Sequence, residues 1–197
     1  MTRPVRVWRE GDVPPAARVL PIATALACGE ARPLAEALRA RAPDGDEIFT
    51  WGDVPPAGAG PAEARRAIAR VIVSLSLPGV PLLPAAALEA PAAARALAAT
   101  AHPGFDPFAR CTFPDAGPAL FVVVRDGATP DQPPLVVQRS RVVCVVNVSG
   151  GDELLSLDWR ALLGTRNAIR DLLTGVRFNV HGPSVGLAGY QALWATV

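Results

Sequence analysis

The chain has 197 residues, half of them apolar and 6% aromatic, with 19 basic and 18 acidic side chains and a formal net charge of +1. That length can bury a sizeable core as one domain or two small ones, and the near balance of charge argues against nucleic acid or an anionic membrane as a partner. Every basic residue is Arg, which excludes a Walker A lysine, a Schiff-base lysine for pyridoxal phosphate and a lysine general base; no cofactor is expected.

Residues 1–10 are polar and carry three arginines with no apolar stretch behind them. No signal peptide is expected, and the location that follows is cytoplasmic. Residues 19–41 place Leu20, Ile22, Leu26, Leu34 and Leu38 among alanines, which predicts two short helices broken near Gly29 and Pro33. Residues 43–61 are loop-like around one apolar patch, 48–51, which predicts a strand. A helix is predicted over 63–77, because Pro61 precedes it, Glu63 lies in its first turn, and Ile68, Val71, Ile72 and Leu75 share a face. Pro78 ends it. Residues 79–83 then predict a short buried strand, and 92–100 a further helix stopped ahead of Pro103. The longest apolar run, 67–88, is interrupted by Arg70, Pro78, Gly79, Pro81 and Pro84, so it is too broken to span a membrane.

After His102 the alanine-rich helical character gives way to β-branched runs. This predicts a boundary between an α/β segment, 1–102, and an antiparallel β domain, 103–197. Residues 120–124, 135–138 and 142–148 read as successive strands of a meander, 154–157 and 178–180 as short strands, and 191–197 as the strand that closes the sheet.

Cys28, Cys111 and Cys144 are far apart and odd in number, and they read as buried thiols of a reducing compartment. His102 and His181 are the only histidines. With no His-x-x-x-His spacing, no metal site is expected. No serine stands in a Gly-x-Ser-x-Gly elbow, and Gly58-Ala59-Gly60 lacks the third glycine of a dinucleotide loop. The sequon Asn147-Val148-Ser149 follows a predicted strand and reads as structural rather than as a glycosylation site.

Several phrases together resemble the closing half of a sucrose phosphorylase-like enzyme of glycoside hydrolase family 13, the α-amylase superfamily. They are Leu75-Ser76-Leu77-Pro78-Gly79-Val80-Pro81, His102-Pro103-Gly104-Phe105, Phe121-Val122-Val123-Val124-Arg125, Asn147-Val148-Ser149, Asp171-Leu172-Leu173-Thr174-Gly175, and Tyr190-Gln191-Ala192-Leu193-Trp194. They fall in the family's order across 67–197. The resemblance implies the end of a (β/α)8 barrel followed by an antiparallel β domain of the α-amylase C-terminal type.

A complete barrel takes about 250 residues. The family's nucleophile and acid/base lie on barrel strands that precede everything matched, so no residue of this chain corresponds to either. The third family carboxylate follows a His in a Ser-His-Asp-Gly phrase. Trp51-Gly52-Asp53-Val54 stands at about that place and makes Asp53 the one candidate catalytic remnant, with Gly52 in place of the His and Val54 in place of the Gly. Trp159, Tyr190 and Trp194 are candidates for stacking on a sugar, weighed against service in the core. The resulting expectation is a truncated, non-catalytic relative that associates with itself or with a partner subunit. The alternatives are a carbohydrate-binding β module and a fragment of a larger glycoside hydrolase or glycosyltransferase acting on sucrose or α-glucans.

Overall fold

The computed structural model describes residues 6–8, 18–19, 22–40, 48–50, 60–127, 140–164, 168–179 and 184–197. Among the described residues four α-helices occupy the first half: α1 (Ile22–Cys28), α2 (Arg32–Arg39), α3 (Pro61–Ser76) and α4 (Pro91–Ala99). Gly29 takes φ 70 after α1, the left-handed conformation that ends a helix without a Cβ penalty. Pro33 opens α2 rather than breaking it, lying in the first turn where its missing N–H costs nothing. In α3, Pro61 starts the helix and Glu63 lies in the first turn. Leu77 turns to extended backbone, φ −75 and ψ 156, because the following proline disfavours the helical conformation. Gly79, at φ 81, then redirects the chain into a strand.

That strand is β4 (Val80–Pro84), and it lies in a parallel sheet with β1 (Arg6–Trp8), β2 (Arg18–Val19) and β3 (Ile48–Thr50), in the order β1-β4-β3-β2. β3 and β4 fall where the sequence predicts them. β1 and β2, of three and two residues, are too short to show any alternation of apolar and polar positions.

The second half holds β5 (Arg110–Thr112), β6 (Leu120–Asp126), β7 (Arg141–Asn147), β8 (Glu153–Ser156), a short helix α5 (Trp159–Leu163), β9 (Ala168–Asp171), β10 (Arg177–Asn179), β11 (Ser184–Leu187) and β12 (Ala192–Thr196). Six of these strands form an antiparallel sheet in the order β10-β9-β12-β7-β6-β5, while β8 and β11 form a separate ribbon. The simple meander is therefore corrected. β6 and β7 pair directly, from Leu120 opposite Asn147 to Asp126 opposite Arg141, and β12 inserts between β7 and β9. The third run of the expected meander, 135–138, lies outside the described residues.

The valine runs do not alternate with polar residues because the sheet is covered on both faces. Phe121, Val123, Val142, Cys144, Val146 and Trp194 face α1–α4 in one core. Leu120, Val122, Val124, Val143, Val145 and Leu193 face β8, β11 and α5 in a second. The first core thus crosses residue 102, with helices from before it packed on strands from after it. No described helix is long and apolar enough to cross a membrane.

Asn147 is fully buried. Its amide nitrogen donates to the carbonyls of Gly151, Leu187 and Ala188, and its Oδ1 accepts from the Ser149 backbone and hydroxyl. It ties the β7 end to the β8 and β11 ribbon, so the sequon has a structural use. The cysteines depart from expectation: Cys144 is buried, but Cys28 is exposed and Cys111 partly so.

Candidate functional site

Of the three aromatic candidates, two are enclosed. Trp194 is fully buried. Its indole N–H donates to Ser76 Oγ at 3.0 Å, and its ring lies 4.5 Å from the Phe105 ring at 40°. Trp159 is buried at the start of α5, where Asp158 caps the helix by accepting from the Ala161 N–H. Neither ring offers a face to a ligand.

Tyr190 is half-buried and sits at φ 60, a left-handed conformation that costs a bulky residue of order 1 kcal/mol or more. The turn around it fixes that geometry. The Tyr190 N–H donates to Ser149 O, and Gly189 lies so close to Gly150 that a Cβ there would meet its carbonyl oxygen at 2.3 Å. Arg66 Nε donates to the phenol oxygen at 3.2 Å, and its guanidinium carbon stands 5.4 Å from the ring centroid. One face of the only partly accessible candidate ring is therefore engaged by a cation.

Asp53 lies outside the described residues. The buried carboxylate that is described, Asp171, belongs to a turn. Its Oδ1 accepts from the Leu173 and Trp194 N–H groups and its Oδ2 from the Thr174 hydroxyl, while Gly175 at φ 76 completes the turn into β10. Its bonds go to backbone N–H groups and to a hydroxyl of its own turn. Among the described residues no group of three or more His, Cys, Asp or Glu could hold a metal ion.

The residue whose importance the sequence conceals is Arg125. It is fully buried, and it donates from Nε to Gly104 O, from Nη1 to Ser76 O and from Nη2 to Asp106 O, at 2.8, 2.9 and 2.8 Å. Its guanidinium also lies over the Phe105 ring, 5.3 Å from the centroid. A fixed fork of donors thus clasps the end of α3 and the His102–Phe105 corner to β6. Gly104 and Gly127 permit the close approach: a Cβ on Gly104 would meet Ser140 O at 2.7 Å, and one on Gly127 would meet Pro103 O at 2.2 Å. The phrases at 75–81, 102–105, 121–125 and 190–194 converge on this one structural node.

No protein-family model and no curated protein sequence matches the chain. Solved structures do. A crystal structure of AmyP in complex with maltose matches with a TM-score of 0.57 at 13% identity, covering 77% of this chain and 40% of that one. A variant of AmyP in complex with maltotriose matches with a TM-score of 0.57 at 12% identity, covering 77% and 41%. An α-amylase from Anoxybacillus, described as a new glycosyl hydrolase subclass, matches with a TM-score of 0.50 at 11% identity, covering 68% and 33%. The chain spans about two fifths of the AmyP chains it matches. Its helices and antiparallel sheet therefore reproduce part of the fold of α-amylase-type glycoside hydrolases.

Proposed function

We propose that the chain is a carbohydrate-related, truncated α-amylase-type protein, inactive alone, that completes its parallel sheet by pairing with a second copy or with a partner subunit. The carrying observation is the strand order β1-β4-β3-β2. Among the described residues the outer edges of β1 and β2 carry no further strand, and parallel strands are stable in sheets that are covered and closed. Two copies joined edge to edge would bring together the eight parallel strands of a closed barrel. The antiparallel sheet then takes the place of an α-amylase C-terminal domain, and the sugar class is sucrose or an α-glucan.

Light scattering of the purified chain over a wide concentration range tests this. A dimer, or a stable complex with a subunit carrying the remaining barrel strands, is expected; a monomer at the highest concentration overturns the assembly. Release of glucose or fructose from sucrose or maltooligosaccharides by the chain alone would overturn the inactivity.

A second reading, that the chain is one piece of a larger glycoside hydrolase, is favoured by the 40% coverage of AmyP. The missing strands would then come from the same polypeptide, and the coding sequence on either side would reveal them. A sugar-binding role for the β part rests on Tyr190 alone. Titration calorimetry with maltooligosaccharides is expected to give no heat that a Tyr190→Ala change removes.

A further inference from the structure

On the face of the antiparallel sheet that carries Trp194, a cavity of about 520 Å³ opens beyond the helices, walled by β9, β10 and the end of β12 and by His102. Pair register sets a row of polar residues across it. Arg177 of β10 stands opposite Arg170 of β9, and Arg170 stands opposite Thr196 of β12. Both arginines are exposed, and neither side chain forms an ion pair or a hydrogen bond among the described residues. The adjacent acid, Asp171, is committed to Leu173, Thr174 and Trp194.

The polar side chains of His102 and Thr196 in the wall are also engaged. His102 Nδ1 accepts from the Gly104 N–H at 3.1 Å, which puts the proton of the neutral ring on Nε2, 3.4 Å from Thr196 Oγ1. That hydroxyl in turn donates to Arg141 O at 3.0 Å. Val197 lines the cavity as well and forms no ion pair with either arginine. Two guanidinium groups are left as the uncommitted cations of the wall.

Like charges directly opposed on neighbouring strands repel, and such an arrangement is unfavourable unless something lies between them. We infer that the Arg170–Arg177 pair is a binding site for a phosphate group, carried by a small monoester or as inorganic phosphate. Opposed residues of an antiparallel pair hold their Cβ atoms about 4.5–5.5 Å apart, so two planar forks can bracket one tetrahedral anion. Each fork offers parallel N–H donors to two oxygens. A dianion takes both forks, whereas a planar carboxylate is filled by one. The cavity is larger than a bare phosphate needs, leaving room for the organic part of an ester.

The test is titration calorimetry of the full chain with inorganic phosphate and with glucose 6-phosphate, at ionic strength matched with sodium chloride. Glucose is the uncharged control. Saturable binding of one or both phosphates is expected, with none for glucose; tighter binding of the ester identifies a monoester as the ligand, and equal binding identifies free phosphate. Arg170→Gln and Arg177→Gln should each weaken binding at least about tenfold, since each removes charge-assisted hydrogen bonds. Both variants should melt, without ligand, at or above the parent temperature, because the repulsion is gone. Arg170→Lys, which keeps the charge without the fork, should bind between parent and Gln variant. Absence of saturable binding to the parent, unchanged affinity in the doubly substituted chain, or ligand-free melting temperatures that fall in both Gln variants would each overturn the site.

Discussion

Arg125→Leu is expected to abolish or nearly abolish stable folding. The leucine fills most of the apolar part of the space but leaves the buried carbonyls of Ser76 and Gly104 without the donors they have now, while the Asp106 carbonyl keeps only the Ala109 N–H. A buried polar group left unpaired costs about 1–3 kcal/mol. Two such losses, with the third bond to Asp106 and the contact with the Phe105 ring gone as well, sum to several kcal/mol, against a total stability of about 5–15 kcal/mol for a domain. Arg125→Lys should not rescue the protein, because one ammonium on a flexible stem cannot reach three carbonyls arranged around a planar fork. Urea denaturation followed by circular dichroism measures this; a midpoint within experimental error of the parent would refute it.

Trp194→Ala is expected to cost about 3–5 kcal/mol, the usual range for removing a large aromatic from a packed interior. It empties the space against Phe105 and takes away the donor to Ser76 Oγ. Trp194→Phe should cost much less, about 1–2 kcal/mol, because most of the packing survives and Ser76 still donates to Ile72 O. Thermal melts of the two variants side by side separate packing from the hydrogen bond. Equal losses would mean that the indole N–H, and not the ring, dominates.

Much of the helical half was legible because its signals are local. The Pro61, Glu63 and Pro78 markers delimit α3, and the helix runs from Pro61 to Ser76. β6 and β7 announce themselves by valine density. Strand order and partner choice are not local properties, so the insertion of β12 between β7 and β9 was hidden. β9 and β11 were missed for chemical reasons: Ala168–Asp171 carries two charged residues in four, and Ser184–Leu187 has Gly186 inside it. Arg125 looks like the polar end of a valine strand. Nothing in its neighbours in sequence reveals that three carbonyls from elsewhere converge on it. By sequence Trp194 fits both a core role and a sugar platform, and only its complete enclosure decides between them. Asp53, which a degraded phrase picked out, lies beyond the described residues.

The shared role of Ser76 has a consequence for how the molecule comes apart. Its carbonyl is gripped from β6 and its hydroxyl from β12, so the last turn of α3 cannot loosen without disturbing two central strands of the sheet. Heat or denaturant should therefore melt helices and sheet in a single cooperative step, and cutting the chain near residue 102 should yield two pieces that each lose their structure rather than two autonomous modules.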